Sequence, residues 1–171
     1  MTISLTGFMG CGKSSVGKEL SKLLSWHFID LDQAVETHTG RKIPEIFSSD
    51  GEAAFRRMEL EVLKSVLAEH GNIILALGGG TVTTPECAAI IRQNTLCIYM
   101  RATADTLKDR LAGQTDGRPL LQGEELDIRL ARLMAMRSHI YGKTAHIIID
   151  TDGKTISEIA QEIIISSHHV R

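Results

Sequence analysis

Apolar residues in this chain fall into two alternating kinds of stretch. Short, largely apolar runs recur at residues 3–6, 27–30, 72–77, 95–100 and 145–149. All five are too short for a helix and read as strands, and 72–77, which lacks strict alternation, reads as one covered on both faces. Between the runs, apolar side chains return every three or four positions, as on one face of a helix. Val16, Leu20, Leu23 and Leu24 mark a helix from about residue 12, and Phe55, Met58, Val62 and Val66 mark another that Gly71 ends. Leu107 and Leu111 mark 103–111; Leu126, Leu130, Leu133 and Met134 face inward on 124–140; Ile156, Ile159, Ala160, Ile163 and Ile164 mark the last helix. Local chemistry agrees. Thr84-Pro85 supplies an N-cap and an N1 proline for a helix through about 92, and Thr155 with Glu158 forms a capping box. Residues 166–171 read as a frayed end.

Five strands alternating with helices predict an α/β fold of three layers: a five-stranded, mainly parallel sheet, right-handed crossovers, and helices on both faces. At 171 residues this is one domain spanning 1–171. With 43% hydrophobic but only 4% aromatic residues, its core is built of Ile, Leu, Val, Ala and Met. A net charge of −2 gives no basic field, which argues against nucleic acid as a partner. The three cysteines, Cys11, Cys87 and Cys97, are odd in number and lack metal-ligand spacing, and seven histidines include no H-E-x-x-H. No apolar stretch reads as an export signal or a membrane span, so the expected setting is the cytoplasm, without a membrane partner.

Chemistry concentrates where strands end. Gly7-Phe8-Met9-Gly10-Cys11-Gly12-Lys13-Ser14 has the spacing G-x-x-x-x-G-K-[ST] between a strand and a helix, a loop whose backbone N–H groups close around a phosphate. Lys13 reaches the outer phosphates and Ser14 offers a hydroxyl to Mg²⁺. After the second strand, Asp30 and Asp32 either cap the next helix or face metal-held phosphates. Gly78-Gly79-Gly80 after the third strand means sharp turn geometry or a backbone that must approach a ligand closely, and the latter fits better. Arg56, Arg57 and Glu59 read on composition alone as solvated charges or i,i+3 pairs, and Arg129, Arg132 and Arg137 as surface charges. Residues 112–123 read as a mobile surface loop carrying Arg118.

Taken together, the loop Gly7–Ser14, Asp30-x-Asp32, Phe55-Arg56-Arg57-x-Glu59, Gly78–Gly80, Arg118-Pro119-Leu120-Leu121, and Arg137 with Tyr141 shortly after resemble the shikimate kinase family over nearly the whole chain. The resemblance implies a P-loop kinase fold of the nucleoside-monophosphate-kinase type, ATP as co-substrate, Mg²⁺ as cofactor, and transfer of the γ-phosphoryl group to the 3-hydroxyl of shikimate on the route to chorismate and the aromatic amino acids. It also implies an acceptor-binding segment at about 31–60, a lid at about 112–123, and a monomer whose partners are small molecules only. On this pattern Gly10, Cys11, Gly12, Lys13, Ser14 and Ser15 would hold the ATP phosphates, and Arg110 and Lys154 would line the adenine pocket. Ser14 would bind the metal directly and Asp30 through water. Asp32, Arg56, Gly78, Gly79, Gly80 and Arg137 would surround shikimate, with Asp32 orienting the attacking hydroxyl and Arg118 closing over the phosphates. Two residues depart from the family pattern without removing a catalytic group: Leu31 between the two acids, and Cys11 inside the phosphate loop, where a thiol at a helix N-terminus is a candidate for oxidation. The rivals are another small P-loop kinase, acting on gluconate or a nucleoside monophosphate, and a nucleotide-binding regulator without turnover.

Overall fold

The computed structural model describes residues 1–69, 71–111 and 126–169, leaving aside the side chain of Leu126. Five strands, β1 (Thr2–Thr6), β2 (His27–Asp30), β3 (Ile73–Ala76), β4 (Leu96–Arg101) and β5 (Ile147–Asp150), form one sheet in the order β2-β3-β1-β4-β5. Every pairing in it is parallel. The helices are α1 (Lys13–Leu24), α2 (Leu31–Thr39), α3 (Ile43–Ser49), α4 (Glu52–Ala68), α5 (Pro85–Asn94), α6 (Ala104–Leu111), α7 (Leu126–Thr144) and α8 (Ile156–His168). From β1 the chain crosses leftward to β2 through α1, then returns rightward through α4, α5 and α7. Right-handed crossovers therefore put α1 and α8, which pack together, on one face and the α4-α5-α7 row on the other.

That order places the end of β1 at the point where the chain's winding direction reverses, the usual ligand crevice of a doubly wound sheet. The register aligns the strand ends: Leu5 faces Ala76, Ala76 faces Asp30, and Arg101 faces Asp150. The segments that follow β1, β2, β3 and β5 thus leave from one edge. Both sheet faces are covered, so Ile3, Leu5, Ile74, Leu75, Ile98 and Met100 are at most 2% exposed. Even the polar Ser4 is enclosed, its hydroxyl bonded to that of Thr95 at 2.7 Å.

Several local expectations change. Leu23 is 48% exposed, because α1 buries the stripe of Val16, Gly17 and Leu20 instead. Helix α3 went unread: it is seven residues long, begins with Pro44 in its first turn, and fully buries only Ile46, too little periodicity to register. Thr84 occupies the N-cap of α5 but its side chain makes no capping bond. Thr155 does cap α8, accepting from the Glu158 N–H at 3.2 Å while Glu158 accepts from the Thr155 N–H at 2.7 Å. Helix α8 runs on to His168 rather than fraying at Ser166, with the Ser167 hydroxyl bonded to the Ile163 carbonyl. Helix α7 continues a turn past Ile140; Leu130 is buried, but Leu133 and Met134 are only half-buried. The expected lid at 112–123, with Arg118, lies outside the described residues. Among the described residues, no helix is long and apolar enough to cross a membrane.

Candidate active site

The four strand ends converge on a cavity of about 880 Å³. Its walls include each expected site residue that is described: Gly10 to Ser15 from the phosphate loop, Asp30 and Asp32, Arg56, Gly78 to Gly80, Arg110, Arg137 and Lys154. One end is basic and lined by backbone. Lys13 lies within the loop, its Nζ donating to the Gly7 and Phe8 carbonyls at 2.8 and 3.0 Å. Arg110 ties the loop to the segment after β5, donating to the Cys11 carbonyl at 3.1 Å and the Thr151 carbonyl at 3.4 Å. Lys154 pairs with Glu162 at 2.6 Å. Cys11 itself is fully buried under the loop, so the oxidation expected from a thiol at a helix end has no access to its sulfur.

The two acids divide at the junction of β2 and α2. Asp30 caps α2, its Oδ1 accepting from the N–H groups of Asp32 and Gln33 at 3.1 and 3.3 Å, while its Oδ2 accepts from the Ser14 hydroxyl at 2.7 Å. Capping and facing the loop are therefore compatible: one oxygen serves each. Asp32, the second residue of that helix, points at the third-strand glycines. Burial, then the charges of Glu59 and Asp30, push its carboxyl up to about 6, against the pull of Lys13 and Arg56. Near neutral pH it is an anion that holds a proton more readily than an ordinary aspartate.

Opposite stands Arg56, with Nη1 on Glu59 at 2.8 Å, Nη2 on Glu52 at 3.2 Å, and its guanidinium 5.0 Å from the centre of the Phe55 ring. Its Nε is buried and has no hydrogen-bond partner among the described residues, so the fork is held at its tips and keeps an unused donor. Glu59 is wholly enclosed; a buried carboxylate is tolerable only when its oxygens are satisfied, and here Arg56 takes one and the Thr81 hydroxyl, at 2.5 Å, the other. For Arg56 and Glu59 the solvated-charge half of the reading is thus overturned, while the i,i+3 half holds, since the two form such a pair. A signal for it existed: Glu59 stands four residues after Phe55 and four before Leu63, inside the buried stripe of α4. Arg57, on the exposed side, does conform to that reading.

The triple glycine has a specific cause. Gly78, Gly79 and Gly80 do not have positive φ, so sharp turn geometry is not the reason. A Cβ on Gly78 would come within 2.6 Å of Asp32 Oδ1, and one on Gly80 would collide with the Arg56 guanidinium. The backbone does approach something closely, but it is the charged groups of the site. Arg137, expected on the surface from composition, is 6% exposed on α7 and donates from Nη1 to the Gly79 carbonyl at 3.3 Å. Sequence reasoning also missed the wall that α3 supplies: Ile43, Pro44 and Phe47 line the cavity, with the Phe47 ring 5.0 Å from Phe55.

A phosphate loop at the winding reversal of a parallel sheet, joined in one cavity to an acid and two largely enclosed arginines, defines a small-molecule kinase of the P-loop class. A family model described as shikimate kinase matches residues 9–167. The shikimate kinase of Thermus thermophilus is 41% identical over 162 residues, covering 95% of this chain and 87% of that one. The structure of a shikimate kinase from Acinetobacter baumannii in complex with shikimate superposes with a TM-score of 0.92 at 33% identity, covering 99% and 95% of the two chains. A gluconokinase from Sinorhizobium meliloti, covering 99% of this chain and 92% of its own, shares the fold at TM-score 0.64 but only 15% identity. This chain belongs to the shikimate kinase family, and ATP is its phosphoryl donor.

Proposed function

We infer that the protein transfers the γ-phosphoryl group of ATP to the 3-hydroxyl of shikimate, giving shikimate 3-phosphate and ADP on the route to aromatic amino acids. One observation carries the reading: the phosphate loop and the group Asp32, Arg56 and Arg137 line the same cavity. In-line transfer needs donor and acceptor held together with little covalent help from the protein.

The N–H groups of residues 10–15 and the start of α1 cradle the donor phosphates, and Lys13 gives up its loop carbonyls to meet the charge on the outer ones. Arg110 and Lys154 border the adenine end. Arg56 and Arg137 take the shikimate carboxylate, and the Gly79 backbone closes the far side of the ring. Asp32 accepts the proton of the attacking hydroxyl; a carboxyl raised to about 6 is a better base at neutral pH than one near 3.8. Arg118, outside the described residues, is assigned to the transferring phosphates.

The oxygen atoms near the loop suit Mg²⁺. Among the described residues no cluster of three His, Cys, Asp or Glu forms a metal cage, whereas Ser14 Oγ and Asp30 Oδ2 converge at 2.7 Å, the sparse oxygen donation that leaves room for waters and substrate phosphates. Ser14 would hold the ion directly and Asp30 through water, and the bound ion would neutralise developing charge on the phosphates. We also assign a monomeric, cytoplasmic state, in which one chain supplies the whole cavity; sedimentation at working concentration checks the first part.

The test is ADP release by purified protein with MgATP. Release that depends on shikimate, and is not elicited by gluconate or a nucleoside monophosphate, is the expected result. Equal release without shikimate would overturn the assignment.

A further inference from the structure

We propose that Tyr141 is a positioning residue for the acceptor: its phenol fixes the Gly79–Gly80 peptide so that the Gly80 N–H is presented to the acceptor and Arg137 is held beside it. The inference rests on the reading of Arg137 and the glycine segment as acceptor-binding.

Tyr141 lies one turn after Arg137 on α7, continues the buried side of that helix, and is 1% exposed. Enclosure of this degree leaves a phenol in need of a partner, and it has one: its hydroxyl donates to the Gly79 carbonyl, the same oxygen that receives Arg137 Nη1 at 3.3 Å. Burial pushes the phenol pKa up, so the group remains a donor throughout the physiological range. A carbonyl has two lone pairs, and these two donors use both. The oxygen of Gly79 is therefore committed to α7.

What this does to the cavity follows from peptide geometry. The Gly79 carbonyl and the Gly80 N–H belong to one planar unit, and among the described residues there is no cis peptide, so the N–H points opposite to the carbonyl. Committing the oxygen to α7 turns the Gly80 N–H away from α7, and this N–H has no hydrogen-bond partner among the described residues. Gly80 lines the cavity next to Arg56. A segment of three glycines would otherwise rotate its peptide planes easily. Arg137 alone cannot prevent that, because the carboxylate of a substrate competes for the same guanidinium. The tyrosine hydroxyl is the donor no substrate group competes for, and it keeps the peptide in place when the arginine turns to its ligand.

Tyr141→Phe removes the hydroxyl and retains the ring, which packs on Tyr99 with centroids 5.2 Å apart. The control is Tyr99→Phe, a neighbouring tyrosine without a hydrogen bond to Gly79. Calorimetric titration of each full-length variant with shikimate, and separately with ADP, is the measurement. The expected result is a roughly fivefold weaker shikimate affinity in Tyr141→Phe, the size of one ordinary hydrogen bond, with ADP affinity unchanged and both affinities unchanged in Tyr99→Phe. Unchanged shikimate affinity in Tyr141→Phe, equal weakening for both ligands, or the same loss in Tyr99→Phe would overturn the proposal. The wild-type protein supplies an arm independent of any variant's folding: the amide resonance of Gly80 should shift on titration with shikimate and hold still with ADP, and a Gly80 amide indifferent to shikimate would also overturn it. Failure of the functional reading looks different, since wild type would then bind no shikimate at all.

Discussion

Asp32→Asn should stabilise the protein while nearly abolishing turnover. Burial and the neighbouring carboxylates of Glu59 and Asp30 raise the Asp32 carboxyl from 3.8 to about 6 in the folded chain, despite Lys13 and Arg56. A folded-state pKa above the unfolded one means that the folded chain binds this proton more tightly. The group's favourable contribution is therefore complete below about pH 4 and lost as pH rises through about 6. Above that, the ionised side chain costs the fold about 3 kcal/mol. Asparagine has the same shape and no charge, so it removes the cost. For a chain of this size the gain is a melting temperature higher by about 6–12 °C at pH 7.5, shrinking toward zero at pH 4. The amide cannot accept the proton of the attacking hydroxyl, so kcat should fall about 10²- to 10⁴-fold. Thermal scans across pH 4 to 8, read beside steady-state rates, test both halves, and kcat/KM of wild type should show an acid limb with a midpoint near 6. If Asp32→Asn melts at or below wild type at pH 7.5, the account of an acid held under electrostatic strain in the cavity is refuted.

Lys13→Ala should leave a folded protein with almost no turnover, because several kcal/mol of charge stabilisation at the outer phosphates disappears; ADP production within about threefold of wild type would contradict this. Gly80→Ala should weaken shikimate binding roughly tenfold in calorimetry while sparing ADP, since the added methyl displaces the Arg56 guanidinium and overpacking costs about 1–3 kcal/mol. Glu59→Ala should lower stability in urea by about 3–5 kcal/mol, as expected when a buried ion pair loses one partner, and a loss under about 1 kcal/mol would show that Arg56 is solvated after all.

The phosphate loop, the strand and helix sequence and the acids after β2 were legible from the chain alone, because each is encoded over a few consecutive residues: a glycine spacing, an apolar run, a capping position. The parallel sheet followed from their alternation. Short amphipathic elements were not legible in the same way; α3 buries one side chain fully and leaves almost no period to detect, yet it supplies an apolar wall of the cavity.

Which charges face water is a different kind of question. Arg56 and Arg57 are adjacent and chemically alike, yet only Arg56 meets Glu59, and the second oxygen of the enclosed Glu59 is satisfied by Thr81, from a different element. Arg137 and Tyr141 stand about sixty residues from the Gly79 carbonyl they share. The family resemblance named Arg56 and Arg137 by position, but no spacing in the chain states their burial, the cost of placing Glu59 beside Asp32, or that a Cβ at Gly78 or Gly80 would meet Asp32 or Arg56. Sequence by itself determined the longer elements and the phosphate loop, since these depend on near neighbours. The tertiary structure alone decided protonation and clearance, since both depend on groups that the sheet order brings together from its separate strand ends.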